Sequence, residues 1–151
     1  MGNHGGRFVI LCDVNVLVYA FRRDSPDHEA YAEWLTGQVN DDAAFGVSSL
    51  VLSGFLRIVI NRRIFHEPST LEKAGLFCQQ LQDAPNSVTV EPTDAHWRIF
   101  LRLCRQAKAR GNLIPDAYFA ALAIEHGCEW ITTDRDFARF PGLQWRSPLA
   151  S

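Results

Sequence analysis

The sequence predicts an α/β domain built on a mainly parallel sheet. Three observations carry this. Phe8-Val9-Ile10-Leu11-Cys12 is an unbroken apolar run, the pattern of a parallel strand covered on both faces. Segments of helical and strand character then alternate along the chain at short connections. Late in the chain, Cys128 to Thr132 is too short for a helix and follows a helical stripe that stops at Gly127, so it reads as another strand.

Taken in order, the first strand ends at Asp13, followed by Val14-Asn15-Val16-Leu17. Ser25-Pro26 reads as an N-cap with proline at the first helical position, opening a helix through Trp34 and Leu35. His28 is expected on that helix's surface, holding a neighbour. Ala44 to Val47 is a short strand that ends at Ser48-Ser49. Leu52, Phe55, Leu56 and Val59 then recur at i, i+3, i+4, i+7, the stripe of an amphipathic helix. Arg57, Arg62 and Arg63 decorate its polar side and end as a solvated face. Ser69-Thr70-Leu71-Glu72 has the capping-box pattern, with Leu71, Ala74, Cys78 and Leu81 beneath it. A turn at Asp83-Ala84-Pro85-Asn86 leads to a strand over Ser87 to Glu91. Thr93 is placed to cap a helix with the stripe Trp97, Phe100, Leu101 and Cys104 and the polar face Arg98, Arg102, Arg105, Lys108 and Arg110, ending at Gly111. Pro115 suits the first position of the next helix, whose stripe is Ala117, Ala120, Ala121 and Ile124. A last short strand is expected at Leu143-Gln144-Trp145.

A length of 151 residues suits one domain, set at residues 7–148 behind a loose polar tail of residues 1–6. A net charge of −2 gives no general nucleic-acid footprint, so any RNA or DNA contact must be a local patch. The opening residues are too polar for a signal peptide, and no apolar run approaches the roughly 20 residues that span a bilayer. Cys12, Cys78, Cys104 and Cys128 stand far apart without a CxxC pair or zinc spacing, and read as reduced core thiols of a cytoplasmic protein.

The chemistry lies in the acids. In parallel sheets the ligand crevice opens at the carboxyl ends of the strands. Asp13 follows the first strand, Asp134 and Asp136 follow a later one, and Asp116 opens the helix between, so four carboxylates converge on one edge. Like charges held together must be protonated, hydrogen-bonded or matched by a cation. An oxygen-only set without histidine or thiol suits a hard cation such as Mg²⁺ or Mn²⁺. Such an ion activates water and stabilises charge building on a phosphate. The residues thus point to metal-dependent phosphodiester hydrolysis or another phosphoryl transfer. There is no Gly-rich phosphate loop, no G-x-S-x-G and no Cys/His pair for other chemistry.

The strand ending in Asp13-Val14-Asn15-Val16-Leu17, Pro115-Asp116-Ala117 opening an alanine-rich helix, and Thr132-Thr133-Asp134-Arg135-Asp136-Phe137 resemble a PIN domain. More closely, the chain resembles a VapC-type toxin of a VapBC toxin–antitoxin pair. The resemblance implies a three-layer α/β/α sandwich with endoribonuclease activity dependent on Mg²⁺ or Mn²⁺. It also implies a homodimer and inhibition by a cognate VapB-type antitoxin. By position, Asp13, Asp116 and Asp134 match the family's catalytic, metal-binding acids. Asn15 and Thr132 match its supporting polar positions, and Asp136 is an auxiliary acid.

One departure matters. The family pattern carries a glutamate two residues before Leu-Arg, and here Ser53-Gly54-Phe55-Leu56-Arg57 puts Gly54 at that place. Close packing of the helix or a relaxed need for the acid would each explain it. The alternative to a nuclease is therefore a catalytically weak or silent PIN-like domain that binds RNA or a partner protein.

Overall fold

The computed structural model describes residues 8–149, so the predicted tail at residues 1–6 lies outside the described residues. Its centre is a five-stranded parallel sheet in the order β3-β2-β1-β4-β5. The strands are β1 (Ile10–Cys12), β2 (Phe45–Val47), β3 (Ser87–Thr89), β4 (Glu129–Ile131) and β5 (Trp145–Arg146). β1 lies between β2 and β4, in register Leu11 with Gly46 and Leu11 with Trp130. Its three residues are all buried, as the unbroken apolar run requires. The strand is shorter than the run, because Phe8 is exposed at the sheet's entry.

Six α-helices connect the strands: α1 (Val14–Phe21), α2 (His28–Val39), α3 (Ser49–Val59), α4 (Leu71–Asp83), α5 (His96–Ala107) and α6 (Leu113–Glu125). A 3₁₀ turn over Arg135–Arg139 precedes β5. α1 packs on α2 and α3, and α3 on α4. α5 packs on α6, which also meets the 3₁₀ turn and β4. These two groups are the outer layers of an α/β/α sandwich. The strand order reverses direction at β1, where β2 and β3 lie to one side and β4 and β5 to the other. Right-handed crossovers then send the helices before and after that point to opposite faces.

α1 was absent from the sequence reading. Asp13 is its N-cap, and Val14, Val16, Leu17 and Val18 are buried beneath it. α2 begins two residues later than expected. Ser25 to Asp27 form a turn closed by His28 N–H to the Ser25 carbonyl (3.3 Å), and Asp27 is left-handed (φ +56°), so no helix can run through it. His28 holds a neighbour as expected, with Nδ1 2.9 Å from the Tyr19 carbonyl oxygen.

The capping box before α4 is also corrected. Ser69 is engaged elsewhere, accepting from Arg22 Nη1 (3.0 Å), and Thr70 caps the helix by accepting from Lys73 N–H (3.2 Å). Arg22, buried at the end of α1, further donates to both Asp24 carboxylate oxygens and to the Glu67 carbonyl. Its guanidinium lies 3.8 Å above the Phe65 ring, so one side chain fastens the 60–69 loop to α1.

α5 is rotated from the expected stripe. His96, Phe100 and Leu103 are buried, whereas Trp97 is 60% exposed. His96 faces inward because Nε2 donates to the Tyr118 carbonyl (2.9 Å), which an apolar-only reading passes over. Thr93 does not cap α5. Glu125, in the last turn of α6, receives the N–H groups of Thr93 and Ala95 and the Thr93 hydroxyl. Two turns differ less. α6 starts at Leu113, which puts Pro115 at its third position, still ahead of the first required N–H donor. Gly127 is left-handed (φ +64°) just past its end, the stop a Cβ would oppose.

All four cysteines are free, and burial raises each thiol above its ordinary pKa, Cys128 to about 11. Among the described residues no helix is long and apolar enough to cross a membrane.

Candidate active site

At the carboxyl edge of the sheet, β1 and β4 remain joined one residue beyond the strand, by Asp13 N–H to the Ile131 carbonyl (2.8 Å). This is the point where the strand order reverses, the crevice that binds ligands in open parallel sheets. The Asp13 carboxylate is held on both oxygens. Oδ1 accepts from Val14 N–H (2.7 Å), and Oδ2 accepts from the Thr132 hydroxyl (2.6 Å). Thr132 is fully buried, and its Oγ1 also accepts from Asp134 N–H (3.0 Å). Asp134 in turn accepts at Oδ1 from Asp136 N–H (2.9 Å), which starts the 3₁₀ turn. Short backbone and hydroxyl bonds thus run from β1 through β4 to the acidic turn.

Asp116 enters from the other layer, in the first turn of α6. Burial raises its pKa to about 6, and the charges of Asp134, Asp13 and Asp136 push in the same direction. Burial also raises Asp13, with Asp134 adding to it, while the Thr132 and Val14 hydrogen bonds work the other way. The four acids named from sequence therefore act on one another electrostatically. Asn15 is exposed on the first turn of α1, and its side chain makes no hydrogen bond among the described residues.

The donor set suits a hard divalent cation, being oxygen-only and under mutual repulsion that a cation would relieve. The acids are not drawn into a closed cage, however. Among the described residues, no group of three or more histidine, cysteine, aspartate or glutamate side chains is arranged to hold a metal ion.

Gly54 sits on α3 against the first turn of α1. A Cβ there would lie 3.0 Å from Val14 Cγ2, the residue after Asp13. The glycine lets the two helices approach closely, which supplies a packing reason for it. A further acid at this edge, Glu91, is committed to α3, accepting from Ser49 N–H (2.8 Å) and the Ser49 hydroxyl (2.9 Å). The sequence reading missed this pairing because no local pattern links residues so far apart. It also missed Arg135, Trp145 and Arg146, which line a cleft beside Thr132.

A family model described as PIN domain matches residues 10–143. The chain is 44% identical to VapC ribonuclease Mb2897 of Mycobacterium bovis, over 93% of this chain and 96% of that one. It is 39% identical to ribonuclease VapC25 of Mycobacterium tuberculosis, over 93% and 99%. Among solved structures, VapBC2 from Rickettsia felis, bound to a DNA fragment from its promoter, shares the fold. The TM-score is 0.67 at 18% identity, covering 92% of this chain and 98% of that one. The chain belongs to the PIN-domain family, among its VapC proteins.

Proposed function

We propose that this protein is a metal-dependent endoribonuclease and the toxin of a toxin–antitoxin pair, with Asp13, Asp116 and Asp134 as its catalytic acids. The observation that carries this is the Asp13 carboxylate, fixed on both oxygens at the strand-reversal crevice and within the field of Asp116 and Asp134. The names of the VapC ribonucleases that the chain is similar to supply the substrate class.

Asp13, Asp116 and Asp134 would hold Mg²⁺ or Mn²⁺, with Asp136 as an auxiliary acid. When bound, such an ion makes water a competent nucleophile and offsets charge on the phosphate. Thr132 orients Asp13 and, through the Asp134 N–H, the acidic turn. Water adds to phosphorus, the ribose oxygen leaves, and that oxygen takes up a proton. The attacking water gives up a proton in exchange, so the step balances as hydrolysis. Asn15, exposed two residues beyond Asp13, is the polar group proposed to support the acids.

A VapB-type antitoxin is the proposed partner, since the solved structures of like fold include VapBC and FitAcB assemblies. The exposed apolar side chains Ile60, Ile64, Leu71 and Leu76 offer surface for that partner or for a second copy in a homodimer.

A second reading, a silent domain that binds RNA or a partner without cutting, draws on Gly54 and on the open arrangement of the acids. An RNA-cleavage assay with Mg²⁺ or Mn²⁺, repeated in excess chelator and with Asp13→Asn, separates the two. Metal-dependent cleavage lost in Asp13→Asn supports the nuclease. RNA binding without cleavage at any metal concentration supports the silent domain.

A further inference from the structure

Beside the acids lies a cleft of about 590 Å³, between the ends of β4 and β5 and the 3₁₀ turn. That volume is within the roughly 300–1,000 Å³ of ligand pockets. Its walls carry Thr132, Thr133, Arg135, Trp145 and Arg146. Thr132, the residue that holds Asp13, lies in its wall, so the cleft adjoins the candidate catalytic carboxylate.

We propose that this cleft is a nucleotide subsite for single-stranded RNA, in which the Trp145 indole stacks on an unpaired base and Arg135 receives phosphate. This rests on the endoribonuclease reading and extends it to how substrate is held. Trp145 pairs with Trp130 across the sheet, but only Trp130 is sealed, packed against Phe119 and Phe137. Trp145 is half-buried and lines the cleft together with Arg135. Arg146, next on β5, gives Nε to Glu129 (3.0 Å), a bond that draws its guanidinium toward the cleft it shares with Gln38 and Asp41. Among the described residues Arg135 has no acidic partner. In a protein of net charge −2, Arg135 is a cation on a cleft wall beside the acids. A cation beside a stacking platform is how single strands are held without sequence readout, because every base offers a π-face. Paired bases hide those faces, so the cleft selects unpaired RNA.

The test uses wild type, Trp145→Phe, Trp145→Leu and Arg135→Ala, with thermal melting to establish folding. Binding of a fluorescent single-stranded oligouridylate is measured in chelator, beside its duplex with oligoadenylate. Trp145→Leu is expected to weaken single-strand binding roughly tenfold, the scale of one base–aromatic stack, while Trp145→Phe keeps most of it. Arg135→Ala is expected to weaken it severalfold and to reduce the salt dependence by about one phosphate contact. In cleavage assays KM rises and kcat holds. Should neither Trp145 variant fold, Arg135→Ala alone decides. Unchanged single-strand affinity overturns the subsite, as does an equal loss on duplex, or a loss confined to binding of a protein partner. Wild-type cleavage with neutral cleft variants overturns the subsite and leaves the nuclease standing. The reverse, a split between the Trp145 variants without any cleavage, sustains the subsite and removes the nuclease.

Discussion

The Thr132 hydroxyl donates to Asp13 Oδ2 across 2.6 Å, although 119 positions separate the two residues in the chain. The same oxygen accepts from Asp134 N–H, so one buried hydroxyl sets two acids at once. Thr132→Val keeps the shape and removes both bonds. Cleavage should fall about 10- to 100-fold, the usual effect of losing a residue that orients a metal-binding carboxylate. Stability should fall by about 1–3 kcal/mol, because Asp134 N–H loses its acceptor. Thr132→Ser should restore most of both. Turnover and melting of the three proteins check this, and an active, stable valine variant would remove Thr132 from the account.

Asp116 is predicted to cost stability in the metal-free protein. Its folded pKa is raised from 3.8 to about 6 by burial and by Asp134, Asp13 and Asp136. Below about pH 4 the proton is bound in both states, and no penalty arises. As pH rises toward about 6, the unfolded chain releases the proton while the folded one still holds it, so stability falls and then levels. Asp116→Asn should therefore melt above wild type near neutral pH in chelator, with the gap closing in acid. A divalent cation should raise the melting temperature of wild type and leave the variant's nearly unchanged.

Gly54 tests the packing of α3 on α1. Alanine is better than glycine inside a helix by about 0.5–1 kcal/mol. The added Cβ would meet Val14 Cγ2 at 3.0 Å, and a β-branched side chain has little freedom to yield. Overpacking costs about 1–3 kcal/mol, so the net prediction for Gly54→Ala is a loss of stability. A variant more stable than wild type would show that close packing is not why the glycine is there.

Arg22 is predicted to govern the 60–69 loop. Arg22→Ala removes charge-assisted bonds to Asp24, the Glu67 carbonyl and Ser69, and should destabilise by roughly 2 kcal/mol. Arg22→Lys should recover little, since an ammonium lacks the planar fork and the stacking on Phe65. Proteolysis within residues 60–69 provides the local readout, and equal protection of wild type and variant would contradict it.

The strands, five of the six helices and the convergence of the acids were legible because each has a local signature. Apolar runs marked β1 and β2, and the alanine stripe with Gly127 marked α6. Hydrogen bonds over long separations left no such mark. Ser69 reads as a cap until Arg22 claims it, and Thr93 reads as a cap until Glu125 takes that role. α1 was hidden because Asp13 could be read as a turn, whereas it both caps the helix and presents its carboxylate. Asn15 was assigned by position alone, and its exposed side chain makes no hydrogen bond among the described residues that would fix its role.

The central claim is that Asp13, Asp116 and Asp134 form one metal-dependent cutting site. Its most direct test measures RNA cleavage and thermal melting on the same preparations of wild type and Asp116→Ala, with Mg²⁺ or Mn²⁺ present. The account predicts a folded variant that does not cleave, beside a wild type whose cleavage stops in chelator. A folded Asp116→Ala protein cutting RNA at the wild-type rate would contradict it.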